Sequence, residues 1–251
     1  RKEQLKFEEQ INSADILSTQ TSNGENRVAN KAELKLQKEF HTVKLNADIA
    51  DSQSKIARSA LLQCIGKTGF VKGVYHLTKS KDSIKFDASA LKKENESLYK
   101  KYCYEKEGGF LKTFKVLGGT KLKDEDETLY NKAKELPKEN YTVADIKKNK
   151  KRSAKIEDLH WSFLEAQREH KLLDWELTKL EAQLKVAMGH YNAIDEICTW
   201  ERKQKEATEA FDEDLFKEKE PKQYLKYLKV KIGSVLPKLE LTRAYPINQK
   251  K

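Results

Sequence analysis

The sequence is poor in the residues that make turns, cross-links and membrane spans. Among 251 residues there are three cysteines, four prolines and ten glycines. So few prolines and glycines argue against a turn-dense all-β fold. Cys64, Cys103 and Cys198 are too few and too scattered for a disulfide framework or a zinc site. This is typical of a reducing compartment, and we expect a cytoplasmic protein. No apolar run reaches the roughly 18 residues of a membrane span, so no membrane partner is predicted.

Motifs that carry chemistry are also missing. The sequence has no glycine-rich phosphate loop and no Ser/His/Asp set. The histidines at positions 41, 76, 160, 170 and 190 do not have the spacing of metal ligands. The acidic run Asp124–Glu127 lacks the glycine and distal glutamate of a calcium loop, so it is interpreted as a solvated surface. We therefore expect no catalytic residue, no metal and no cofactor, and favour a protein that is not an enzyme.

Charge is abundant, and its positive excess is local. Charged residues make up 36% of the chain and the net charge is +10. Residues 61–123 carry 14 basic and 6 acidic side chains, which is +8 of that total. A basic surplus in one segment indicates an anionic partner, most commonly nucleic acid. The alternative is a lysine-rich composition whose ammonium groups are merely solvated.

Lysines without interleaved exposed aromatic residues suit contact with phosphates rather than reading of bases. A smaller basic group, Arg202, Lys203 and Lys205, follows Trp200. The predicted nucleic-acid-binding residues are Lys72, Lys79, Lys81, Lys85, Lys92, Lys93, Lys100, Lys101, Lys147, Lys148, Lys150, Lys151 and Arg152.

Two long segments have helical periodicity. Apolar and small residues recur at steps of three and four over 32–64, and a heptad pattern runs over 156–191 from Leu159 to Tyr191. Such helices are expected to pair with each other or with another subunit, which leaves a homo-oligomer open. A shorter helix is predicted over 1–17, and strands over 70–77, 83–86, 110–116, 194–200 and 239–247.

An internal repeat appears when the second half is placed over the first with an offset of 125 residues. Six of seventeen positions between 86–102 and 211–227 are then identical. Tyr75 falls on Trp200, and six extra residues bring 112–116 opposite 243–247. The predicted class is α+β, predominantly helical, with two repeated units of long amphipathic helix, small antiparallel sheet and short covering helices. The expected divisions are 1–31 (N-terminal helix and loop), 32–117 (basic unit), 118–154 (linker with short helices) and 155–251 (second unit).

The repeated Phe-Asp pair has a structural explanation. Asp87 and Asp212 are predicted helix N-caps, whose carboxylates accept free backbone N–H groups of the first turn. Phe86 and Phe211 precede them and are placed to pack four residues into the helix as hydrophobic staples. The repeat therefore predicts shared architecture and not two active sites.

The pattern resembles the C-terminal region of YqaJ-type phage recombination nucleases, relatives of lambda exonuclease. The second copy matches best, with Trp200, Phe211-Asp212, Pro221, Tyr224, Tyr227 and Arg243. The first copy departs from the pattern, with Tyr75, Glu96 and Lys112 at the corresponding places. The resemblance covers about 75–90 residues of each half and implies a link to phage DNA recombination.

The nuclease core of that family is not found. Glu33-Leu34-Lys35 has the Glu-x-Lys spacing but lies in a helical stretch, so it is not interpreted as a metal site. The resemblance thus favours a non-catalytic phage or mobile-element protein that binds DNA or a recombination protein inside the host cell. Two alternatives remain: a scaffold assembled through its heptad helices, or the C-terminal part of a nuclease whose core lies upstream of Arg1.

Overall fold

The computed structural model describes residues 2–119 and 124–241, and these form a mainly helical α+β fold with small sheets. The predicted α+β class is therefore confirmed. The helices are α1 (Lys2–Ser18), α2 (Lys31–Ile65), α3 (Ala88–Glu94), α4 (Glu96–Lys101), α5 (Asp124–Lys134), α6 (Ala154–Met188), α7 (Glu213–Lys219) and α8 (Pro221–Lys226). The strands are β1 (Asn26–Arg27), β2 (Phe70–Val71), β3 (Tyr75–Lys79), β4 (Ser83–Phe86), β5 (Cys103–Lys106), β6 (Phe110–Val116), β7 (Ala193–Ile194), β8 (Cys198–Gln204), β9 (Thr208–Phe211), β10 (Leu228–Lys231) and β11 (Val235–Leu239).

The two long helices have equal lengths and similar ends. Helices α2 and α6 each contain 35 residues. The side chain of Asn30 caps α2, accepting from the backbone of Glu33, and the Ser153 side chain caps α6. Gly66 and Gly189 end them with φ angles of 70° and 59°, a region that favours glycine because it has no Cβ.

By contact, the chain divides into two compact units. The helical unit comprises the described residues of 1–78, 112–202 and 237–251, and the ribbon unit comprises 79–111 and 203–236. In the helical unit, α2 packs along α6, α1 packs on α6 and α5 packs on α2. The buried cluster around Leu184, Met188 and Trp200 lies between this helix pair and the sheet ordered β1-β7-β8-β6.

The strand registers and turns correct three of the sequence predictions. Val71 pairs with Tyr75 in the same way as Ile194 pairs with Cys198, so Tyr75 corresponds to Cys198 and not to Trp200. The predicted strand 70–77 is two strands, β2 and β3, because Gly73 turns the chain with a φ of 68°. The predicted strand 239–247 is wrong in its described part, because strand β11 spans Val235–Leu239 and residues 240–241 are not in a strand. The part from 242 on, with Arg243, lies outside the described residues.

The ribbon unit is built from two segments of equal layout. Strand β4, helices α3 and α4, and strand β5 are matched in length by β9, α7, α8 and β10, each starting 125 residues later. The segments exchange strands, since β4 pairs antiparallel with β10 and β5 pairs antiparallel with β9. Asp87 and Asp212 cap α3 and α7 by accepting from the N–H groups of Ala90 and Leu215 at 2.9 and 2.8 Å.

Aromatic rings from both segments form one stack at the centre of this unit. Tyr224 stacks on Phe86, Phe86 on Phe211, and Phe211 on Tyr99, with centroid separations of 4.9, 5.7 and 4.8 Å. The planes differ by 11° or less. Buried Leu91, Phe216, Tyr102 and Tyr227 surround the stack. In each Phe-Asp pair, the aspartate therefore caps a helix and the phenylalanine packs the two segments against each other.

We expect Cys198 to be unreactive in the folded protein. It is fully buried in the helical unit, and burial raises the pKa of its thiol from 9.0 to about 12. Ellman's reagent at mildly alkaline pH should therefore count all three thiols only after denaturation, whereas half-buried Cys64 and Cys103 are more accessible. Because the unfolded thiol ionises at lower pH than the native one, Cys198 should lower stability as the pH rises above about 9. Rapid reaction of all three thiols in native protein would contradict this.

Candidate nucleic-acid interface

The β4–β10 pair forms a two-stranded ribbon with different side chains on its two faces. Lys85 lies opposite Lys229, and Ser83 lies opposite Lys231, on one face. The alternate pairs, Phe86 with Leu228 and Ile84 with Val230, lie on the other face, because side chains alternate along a strand. The sequence therefore places lysines on one face and apolar residues on the other.

The lysine face borders a shallow depression of about 230 Å³. Three lysines and three serines contribute to its wall. The Ser80 hydroxyl donates to the carbonyl of Ser234 at 3.3 Å, so the donors that face the space are the ammonium groups and the hydroxyls of Ser83 and Ser234. Its lining residues are Ser80, Lys81, Ser83, Lys85, Lys231, Ile232, Gly233 and Ser234.

Two turns, 80–82 and 232–234, are held together at this depression. The backbone N–H of Ser80 donates to the carbonyl of Ser234 at 3.0 Å, and the N–H of Gly233 donates to Asp82 Oδ1 at 2.8 Å. Asp82 also pairs with Lys79 at 3.0 Å. The Gly233 N–H, followed by the Lys79 ammonium, holds the pKa of Asp82 below its usual value. The one carboxylate in these turns is thus already engaged.

The lysines of the depression have no such partner. Within the part of the chain that the structure describes, no carboxylate lies within 4.0 Å of the ammonium groups of Lys81, Lys85 or Lys231. All three side chains are exposed. Their charges repel one another and are compensated only by solvent, so an anion in the depression gains attraction from all three at once.

The other predicted basic residues are exposed, but many are already paired. Lys79, Lys100, Lys101, Lys148 and Arg152 pair with carboxylates of the chain. The ammonium group of Lys92 lies 5.3 Å from the centre of the Tyr99 ring. The Lys150 ammonium donates to the carbonyls of Cys64 and Ile65 at 2.7 and 3.2 Å, where it caps the end of α2. The predicted residues that are exposed and have neither an ion pair nor one of these other contacts in the described chain are Lys72, Lys81, Lys85, Lys93, Lys147 and Lys151.

The predicted residues do not form a single surface of one unit. Those from Lys79 to Lys101 belong to the ribbon unit, whereas Lys72 and the cluster 147–152 belong to the helical unit. Arg202, which the sequence groups with the basic residues after Trp200, is only 1% exposed. Its guanidinium carbon lies over the Trp200 ring, 4.1 Å from the ring centre, and its N–H groups donate to the carbonyls of Leu17 and Tyr191. Burial lowers its pKa. Arg202 is a core residue and not a binding residue.

The sequence did not reveal Lys231 or the three serines. Lys231 lies on β10, which was not predicted because its four residues, LKVK, follow directly on a helix. The alternation of Lys229, Val230 and Lys231 was the available signal for a strand with one basic face. Its partner β4 lies in the other half of the chain. Lys85 and Lys231 therefore come together only in the folded structure, and their positions in the sequence do not reveal it.

The second ribbon, β5–β9, provides an internal comparison. It has the same register, with Cys103 opposite Phe211 as Phe86 is opposite Leu228. At the positions 125 residues from Lys81, Lys85 and Lys231 stand Glu206, Ala210 and Lys106. Glu105 and Glu209 face each other across its strands. These glutamates stand at the positions of Val230 and Ile84, so the counterpart of the lysine face in this ribbon holds Tyr104, Lys106, Thr208 and Ala210. The same backbone therefore carries three lysines on this face at one place and a single lysine at the other.

Comparisons with protein-family models, with curated proteins and with solved structures return no match. Among the described residues, no three His, Cys, Asp or Glu side chains are grouped so that they could hold a metal ion. The described helices include none with the length and apolar character needed to cross a membrane. The basic depression is the site on which a functional proposal can be built.

We expect Gly233→Ala to disrupt the depression. A Cβ at this position would collide with the carbonyl oxygen of Ser80, so the paired turns must separate. The expected cost is about 1–3 kcal/mol of unfolding free energy, measured by urea denaturation, together with weaker binding of anions. Gly109→Ala is the matched control, because Gly109 stands at the position corresponding to Ser234 and a Cβ there meets open space. Equal effects of the two changes would contradict the prediction.

Proposed function

We propose that this protein binds DNA without cleaving it, through the lysine face of the β4–β10 ribbon. The observation that carries the proposal is the convergence of three unpaired lysines with serine hydroxyls at one depression. Ammonium and hydroxyl groups are the donors that contact phosphate oxygens, and such contacts carry no base sequence information. The resemblance to the C-terminal region of phage recombination nucleases supports DNA as the anion and a phage or mobile element as the source.

We infer further that the chain consists of two copies of one unit. Beyond the ribbon unit, α6 starts 123 residues after α2, and the pairing of Asn26 with Ala193 has a counterpart in the bridge between Asn149 and Phe70. Arg27 donates to the carbonyl of Ala187 near the end of α6, as Lys150 donates to Cys64 near the end of α2. These correspondences support a duplication that begins before residue 31 and includes the region read from the sequence as a linker.

The duplication bears on function because the copies differ in charge. If the ribbon lysines only kept the fold soluble, the β5–β9 ribbon would be expected to carry them too, since both ribbons have the same backbone pairing, yet its corresponding face has Lys106 alone. The difference supports one DNA-contacting ribbon per chain. Three phosphate contacts predict that log K falls with log salt with a slope of about −2.7 on duplex DNA and about −2.1 on single strands.

The test is a fluorescence-anisotropy titration of the full chain with blunt duplex, tailed duplex and single-stranded DNA over a range of salt concentrations. The proposal expects binding at low salt that weakens with the slope given above and does not depend on base sequence. Incubation with magnesium should leave the DNA intact. Absence of binding to all three DNAs at low salt would refute DNA binding, and digestion would refute the non-catalytic part.

A further inference from the structure

Helix α6 carries a second apolar stripe, one end of which contacts α1, since the ring centroids of Trp175 and Phe7 lie 4.4 Å apart. The packed face includes buried Phe163, Leu180 and Leu184. The second stripe lines an open groove of about 490 Å³, in which Trp175 is 53% and Leu172 60% exposed. The lining residues are Trp161, Leu164, Glu165, Gln167, Arg168, Lys171, Leu172, Trp175 and Leu241. Large exposed apolar residues grouped in this way indicate an interaction surface.

In the duplication inferred above, the corresponding helix α2 does not carry this stripe. The positions of α2 that lie 123 residues before Trp161, Leu164 and Trp175 hold Lys38, His41 and Ser52. That helix nevertheless has the same length and the same caps. The two tryptophans are therefore additions to one copy, and tryptophan is among the residues most enriched at the centres of protein interfaces.

The stripe is symmetric about Arg168 in both shape and charge. Trp161 and Trp175 lie seven residues on either side of Arg168, and Leu164 and Leu172 lie four residues on either side. Three residues away on either side are Glu165 and Lys171, which have opposite charges. Two copies of this helix crossing antiparallel at Arg168 would therefore bring tryptophan to tryptophan, leucine to leucine and glutamate to lysine. An isologous dimer requires this kind of self-complementarity.

We propose that the protein forms a twofold homodimer in which the α6 stripes of two chains pack antiparallel, centred on Arg168. The stripe spans about 21 Å at 1.5 Å per residue, or two heptads of a coiled-coil contact. The paired Arg168 side chains at the centre repel each other, and the partner's Glu165, one helical turn away, offsets this repulsion. The dimer does not depend on DNA binding.

Sedimentation velocity of the full chain over a concentration series tests the dimer. Wild-type protein is expected to dimerise, and Leu172→Glu to weaken the dimer at least about 100-fold, because it buries a charge at the contact. Val186→Glu is the matched control, since Val186 is also an exposed apolar residue of α6 but lies outside the stripe. Circular dichroism of each variant checks that the fold is unchanged.

Charge reversal tests the register. Lys171→Glu and Glu165→Lys should each weaken the dimer by placing like charges together, and the double variant should restore it. Mixing the two single variants should give a heterodimer, because one then carries only negative and the other only positive residues at these positions. A wild-type monomer at all concentrations, or a dimer indifferent to Leu172→Glu and to the charge reversals, would overturn the proposal.

Discussion

Changing Lys81, Lys85 and Lys231 together to glutamate is expected to reduce DNA affinity roughly 100-fold or more at low salt. Each lost phosphate contact costs about 1 kcal/mol, and about 3 kcal/mol is a factor of more than 100 in affinity. The introduced carboxylates add repulsion. The side chains are exposed and lack ion pairs in the described chain, so the folded state should lose little stability. Anisotropy measures the affinity, and thermal denaturation checks the fold.

The matched control changes Lys93, Lys106 and Lys222 to glutamate. These residues are also exposed and also belong to the ribbon unit, but none lines the depression. The net charge falls by the same amount in both triple variants. If the protein attracts DNA only through its net charge, the two variants should lose affinity equally, and the ribbon would then not be the binding site. If the dependence of log K on log salt becomes weaker only in the variant of Lys81, Lys85 and Lys231, the phosphate contacts lie at the depression.

Cutting the chain between Gly118 and Gly119 is expected to give two fragments that fold only together. Strands β4 and β5 lie in the first fragment, and their partners β10 and β9 lie in the second. Helix α2 packs along α6, which is also in the other fragment. Each fragment alone therefore exposes half of a core and five unpaired strand edges. Co-expression with an affinity tag on one fragment should recover a 1:1 complex with the circular dichroism spectrum of the intact chain.

The same experiment distinguishes interleaved halves from independent domains. The divisions drawn from the sequence, 32–117 and 155–251, predict that each piece folds by itself and that the pieces need not associate. Fragments purified separately provide the comparison. A cooperative thermal transition in either isolated fragment, with no complex on mixing, would contradict the interleaved arrangement. Aromatic signals in the near-ultraviolet spectrum should appear only on mixing, because Phe86 and Phe211 stack across the cut.

The sequence predicted the local features well and the tertiary pairings poorly. Helices α2 and α6 were found to within three residues at each end, because their apolar periodicity coincides with the caps at Asn30, Ser153, Gly66 and Gly189. The strands β5, β9 and β10 were missed. Each has four residues, includes charged side chains, and owes its extended form to a partner more than 100 residues away.

For the binding site, too, the sequence predicted the local features and missed the contacts between distant residues. Lys81 and Lys85 could be selected from the local charge excess, because composition is visible along the chain. Which lysines remain available depends on where carboxylates fall in space, as the ion pair of Lys101 with Glu220 shows. The role of Lys150 as a helix cap also depends on a contact with residues 64 and 65, far away in the chain. Such contacts cannot be read from spacing.

The strand exchange in the ribbon unit has a consequence for how the protein folds during synthesis. Phe86 pairs with Leu228, so β4 has no partner until residues 228–231, more than 140 residues further along the chain, have left the ribosome. Pairings this distant in sequence close slowly, because a long loop must be ordered before the contact forms. The first half therefore waits with its aromatic residues and strand edges uncovered, a state in which chains aggregate or pair with a neighbouring nascent copy. Lys85 of β4 and the preceding Lys81 then act as gatekeepers, keeping this unpaired edge soluble until its partner arrives.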